Sequence, residues 1–99
     1  MEAKIKKYFI EEKKVTEQVA KILCKSLLKY EDIAEEFCYW IKNREYKKED
    51  KLVINGYSAT DISKLAPHLD ASGVYGFMVS LRDNPAKAEG IIKDNFPTK

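Results

Sequence analysis

From Thr16 onward, Val19, Leu23, Ser26, Tyr30, Ile33, Phe37 and Trp40 recur in alternating steps of four and three, and only Ser26 is not apolar or aromatic. That spacing is the buried stripe of an α-helix. The first glycine is Gly56 and the first proline Pro67, so no strong breaker interrupts the opening half. One helix over 16–43 would satisfy the stripe, but an average helix runs only about 11 or 12 residues. Asp32 and Glu35 also have capping-box spacing. The preferred reading is two helices with a break near Tyr30, Leu27 and Leu28 closing the first, and Ile33, Phe37, Trp40 and Ile41 forming the inner face of the second. Residues 1–14 are read as helix in preference to an edge strand, with fraying confined to the first residues.

Beyond the polar connector "NREYKKED", the β-prone "KLVI" runs into Asn55-Gly56, the dipeptide that best marks a tight turn. The turn alone does not secure a hairpin, because "YSAT" reads as the start of a helix rather than a return strand. Ser58 or Thr60 caps a short helix through Ala66, with Ile62 and Leu65 inward and Pro67 as its stop. Asp70 caps the next helix, on which Val74, Phe77, Met78 and Leu81 make the apolar stripe. Asn84-Pro85 opens the last one, with Ala88, Ile91, Ile92 and Phe96 inward and Pro97 ending it. The fold class predicted is all-α, a small single-domain bundle of four or five helices with a minor β element at Leu52 to Gly56.

The helix after Asp70 holds two glycines, each about 1 kcal/mol less favourable than alanine in a helix interior. At 100° per residue Gly73, Gly76 and Ser80 gather on one strip beside the apolar stripe. The expectation is that another backbone packs closely against that strip, so that Gly76→Leu unfolds or strongly destabilises the domain. Tyr75, Val79 and Arg82 occupy the remaining flank. Apolar residues on more sides than one small core covers make that flank the expected partner-binding surface.

Charge narrows the function classes. Residues 1–50 carry 12 Lys/Arg against 11 Asp/Glu, and residues 51–99 carry 6 against 5. Neither half is a polycation of the kind that binds nucleic acid or anionic membrane nonspecifically. One local cluster, Lys42, Arg44, Lys47, Lys48 and Lys51 with Tyr39, Trp40 and Tyr46 nearby, is the candidate nucleic-acid surface. Residues 58–83 also have the rhythm of a helix-turn-helix, although Pro67-His68 takes the place of the usual turn glycine.

Catalytic chemistry has little to stand on. His68, the sole histidine, sits in a turn, and Cys38 has no histidine near it in sequence. Glu11, Glu12, Glu35 and Glu36 read as solvated helix faces among lysines. Cys24 and Cys38 read as small buried hydrophobes of a reducing compartment, lacking C-x-x-C spacing. No phosphate loop or zinc-ligand spacing occurs, so no cofactor, metal or catalytic residue is assigned. No secretory segment and no membrane-length apolar run is found, which places the protein in the cytoplasm. The functional expectation is a noncatalytic interaction module binding a protein partner or a second copy of itself. The alternative is a small nucleic-acid-binding regulator.

Overall fold

The computed structural model describes residues 1–95; the expectations for Phe96 and Pro97 lie outside them. In chain order the elements are α1 (Glu2–Glu11), α2 (Glu17–Leu27), α3 (Glu31–Asn43), β1 (Val53–Ile54), β2 (Tyr57–Ser58), α4 (Ala59–Leu65), α5 (Ala71–Asp83) and α6 (Pro85–Asn95). The all-α class holds, with six helices among the described residues rather than four or five.

Local chemistry sets most boundaries. Thr16 caps α2 by accepting from the Val19 N–H at 3.2 Å. The stripe does break at Tyr30, but the Asp32–Glu35 box does not form: Tyr30 is the N-cap of α3, and Asp32 Oδ1 accepts from the next residue's N–H, Ile33, at 2.8 Å. Arg44 ends α3 in the left-handed region (φ 59°), its N–H donating to the Trp40 carbonyl at 2.6 Å. Asn55 (φ 55°) and Gly56 (φ 87°) are both left-handed, the requirement of a type I′ turn. β1 and β2 therefore do pair antiparallel, Val53 with Ser58 and Ile54 with Tyr57. Ser58 serves twice, closing β2 and forming a capping box with Asp61 at the start of α4. Asp70 caps α5 through Gly73 N–H at 2.9 Å, as the sequence predicts.

α5 is the axle of the molecule, touching α2, α3, α4, α6 and β1. Its Val74, Tyr75, Met78 and Leu81 are fully buried and join Ile5 and Phe9 of α1, Cys24 and Leu27 of α2, Ile33 and Phe37 of α3, and Ile62 of α4 in one cluster. Burying such side chains contributes about 1.5–3 kcal/mol each before chain entropy is set against it.

Two expectations about α5 are corrected. Tyr75 (0% exposed) and Val79 (6%) belong to the core, so the Tyr75, Val79, Arg82 flank is not an open surface. It is buried because α3 packs on that side and supplies a polar partner. Tyr75 Oη donates to Glu36 Oε2 at 3.2 Å, while Glu36 Oε1 accepts the Leu52 N–H at 2.8 Å. Glu36 is thus a buried, hydrogen-bonded carboxylate and not part of a solvated face. Nor does a backbone press against the glycine strip: a Cβ at Gly73 would meet Leu69 Cδ2 at 3.1 Å, but at Gly76 nothing lies within 4 Å.

α2 also departs from the stripe. Its buried residues are Ala20, Cys24 and Leu27, whereas Val19 is 42% exposed and Ile22 69%. The helix is rotated so that its smaller apolar residues meet α1 and α5.

Candidate docking surface

Around α2, successive positions at 100° run from buried Leu27, through half-buried Leu23, to exposed Val19, Ser26 and Ile22, and then to Lys25 and Lys21. On the inner side of this series α2 forms a groove with α1 and α5, lined by Phe9, Val15, Leu23, Leu27, Gly73 and Gly76, of about 310 Å³. On the outer side, Ile22 and Leu28 lie among Lys21, Lys25 and Lys29, with Glu2 of α1 as the one acid among the described residues lining that depression. Ser26 borders both depressions. The open sector at Gly76 is thus the floor of a trough banked on α2 by Leu23, Ser26 and Leu27, and Val19 and Ile22 lie further round that helix, beyond Ser26.

The rim is basic. Lys29 pairs with Asp83 at 2.8 Å and Lys13 with Asp70. Among the described residues, no carboxylate lies within ion-pair distance of Lys21 or Lys25. Sequence reasoning missed Ile22, Lys21 and Lys25. A signal was present: α2 carries Val19, Ile22, Leu23 and Leu27 as well as Ala20 and Cys24, with Leu28 at its C-cap, more apolar positions than one stripe of about 100° holds.

The residues singled out from the sequence fall elsewhere. Arg82 is held by Asp32 through two hydrogen bonds, at 2.8 and 3.0 Å, and its guanidinium lies 4.9 Å from the centre of the Tyr30 ring. The same Arg82 contact draws the Asp32 carboxyl below the ordinary aspartate range. Arg44 is committed as well, gripping both carboxylate oxygens of Glu12 and stacking over Trp40 at 5.0 Å. Of the connector lysines, Lys47 sits over the Tyr39 ring at 5.8 Å. Lys42, Lys48 and Lys51 are exposed, but Lys47 and Lys48 share their depression with Glu45, Glu49 and Asp50. The would-be reading helix is α5, and of the residues it is expected to expose, Tyr75 and Val79 are inside.

Cys24 is buried and Cys38 half-buried, both as free thiols, and burial pushes both thiols up from their ordinary pKa. Among the described residues, no three His, Cys, Asp or Glu side chains converge to hold a metal. No helix there is long and apolar enough to cross a membrane. Compared with known proteins, the chain matches no family model, and neither a curated protein nor a solved structure matches it.

Proposed function

We propose that the protein is a noncatalytic interaction module whose docking surface is the trough between α2 and α5, and that its partner is an amphipathic helix with an acidic flank. The observation that carries this reading is Ile22, 69% exposed on a helix whose opposite side is core. With Val19 beside it, and Gly76 open in the trough on the other side of Ser26, the exposed strip of α2 and the trough together offer what helix-in-groove recognition uses: apolar anchors and a floor low enough for close approach. Lys21 and Lys25 select for acid on the incoming helix. They also disfavour a second copy, because a twofold contact places the same patch on both sides and brings this basic rim toward itself.

The test is proximity crosslinking from a photoreactive group at Ser26, comparing the parent with Ile22→Glu, Gly76→Leu and, as a remote control, Lys48→Glu. A partner retained by the parent and the control but lost from both trough variants, all four folding normally by circular dichroism, supports the reading. Capture indifferent to Ile22→Glu removes it. Sedimentation velocity showing dimerisation abolished by Ile22→Glu replaces the foreign helix with a second copy.

A further inference from the structure

A second groove lies between α1 and α3 and, among the described residues, shares no lining residue with the trough. Its floor is Tyr8, Cys38 and Ile41, and its banks carry Lys4, Lys7 and Lys42 with Glu11 and Glu12. The volume is about 410 Å³, at the small end of the range for small-molecule sites. Tyr8 is fixed there by edge-on contacts with Phe37 at 5.5 Å and Trp40 at 5.8 Å, so the floor is preformed.

The charges around this floor are unbalanced. Glu12 is occupied by Arg44. Among the described residues, no carboxylate lies within ion-pair distance of Lys4, Lys7 or Lys42. Three lysines therefore face one uncommitted acid, Glu11. The Cys38 thiol is raised by burial against the opposing pull of the N-terminal ammonium and Lys4, so it is neutral at pH 7 and adds to the apolar floor. An apolar bed with cationic banks suits an amphipathic anion, the lysine stems covering its body while their ammonium heads reach its charge. The apolar floor of Tyr8, Cys38 and Ile41 favours an alkyl carboxylate over a compact phosphate, which has no body to lay along it.

We propose that this groove binds a medium-chain fatty acid, its carboxylate among Lys4, Lys7 and Lys42 and its alkyl chain along Tyr8, Cys38 and Ile41.

Cys38 supplies the readout. Its alkylation by iodoacetamide is followed by mass spectrometry, with the buried Cys24, 1% exposed, as internal reference. Decanoate is expected to protect Cys38 saturably, with affinity rising from hexanoate through octanoate by up to about fourfold per methylene. Decanol should bind at least tenfold more weakly. The double variant Lys4→Glu/Lys42→Glu should lose at least tenfold in decanoate affinity and keep that for decanol. Both lysines are exposed, and should the double variant misfold, Lys7→Gln gives the same comparison with a smaller loss. Absence of saturable protection by about 1 mM decanoate, equal protection by decanol, or charge variants with parental affinity overturns the proposal. Co-sedimentation with phosphatidylglycerol vesicles that decanoate does not compete also overturns it, in favour of a membrane headgroup.

Discussion

The two sides of α5 make an instructive pair. On one, Tyr75 and Val79 are sealed, the Tyr75 ring lying 5.5 Å from Phe37 and 6.0 Å from Tyr46, with its hydroxyl on Glu36. On the other, Gly76 opens onto a trough with no heavy atom where a Cβ would sit. By composition alone the opposite assignment is natural, since an aromatic hydroxyl and an arginine read as surface while glycine reads as a contact. Periodicity gives a helix's own angular map, but the positions of neighbours decide which sectors are covered. Here a carboxylate on α3 makes the tyrosine side habitable for a polar group, and α1 and α2 leave the glycine side uncovered.

The largest expected effect tests the sealed side. Tyr75→Ala should lose about 3–5 kcal/mol in urea unfolding, because it empties a fully enclosed aromatic site. Tyr75→Phe keeps the ring and removes only the donor to Glu36, for a loss of about 1–2 kcal/mol. If Tyr75→Ala were as stable as the parent, the sealed side would be accessible in solution and the contrast would collapse. The hydroxyl also has a pH consequence. Burial first, and then the charge and hydrogen bond of Glu36, raise the Tyr75 pKa far above its ordinary value, so no tyrosinate absorbance from this residue should appear in a spectrophotometric titration while the protein stays folded.

A middle-sized effect comes from Asp70, at the N-terminus of α5. Burial would raise its pKa, yet hydrogen bonds from Lys13, the Gly73 N–H and Ser72 outweigh that and hold it below the usual range. Asp70→Ala should lose about 1 kcal/mol as a missing cap. The pH dependence follows from the sign of the shift. A carboxyl lowered on folding contributes stability that is fully present above its unfolded pKa of about 3.9, and that is lost as pH falls through the lower folded value. Thermal melts between pH 7 and pH 3 should therefore fall less steeply for Asp70→Asn than for the parent. The remaining slope belongs to Glu12, Asp32, Asp61 and Asp83, which hydrogen bonds also hold low. Equal slopes for parent and variant would remove Asp70 from the acid response.

How much of this was legible beforehand divides along the same line. Caps and turns are local chemistry and were readable: Asp70, Ser58, the Asn55-Gly56 turn and the Asn84-Pro85 junction sit where their side chains dictate. The break at Tyr30 was readable from length, though not its capping, because Asp32 turned its carboxylate to Ile33 and Arg82 instead. What was not legible is tertiary. Spacing sets Glu36, three residues from Ile33 and four from Trp40, on the apolar face and Glu35 off it, but it does not say whether a glutamate there stays buried, as Glu36 does, or turns out to water. The choice depends on Tyr75 and Leu52 arriving from 39 and 16 residues away. Likewise the rotation of α2, which exposes Ile22, and the grip of Arg44 on Glu12 are products of packing, so both the trough and the α1–α3 groove had to be seen in three dimensions.

The smallest effect bears most directly on the open side. Gly76→Ala adds a methyl where there is room and restricts the unfolded chain, so it should raise stability by about 0.5–1 kcal/mol, a melting shift of about 2–8 °C for a domain of this size. Gly73→Ala should gain less, because its Cβ would meet Leu69 Cδ2 at 3.1 Å and the leucine must yield first. The ordering of the two alanines is thus a measurement of where α5 is covered. A protein that folds better with alanine at position 76 carries its glycine for a reason outside its own stability, and the trough supplies one: a methyl there raises the floor on which an incoming helix would rest. Gly76→Leu should accordingly fold and fail to dock. If it unfolds instead, the trough is closed in solution and the docking surface goes with it.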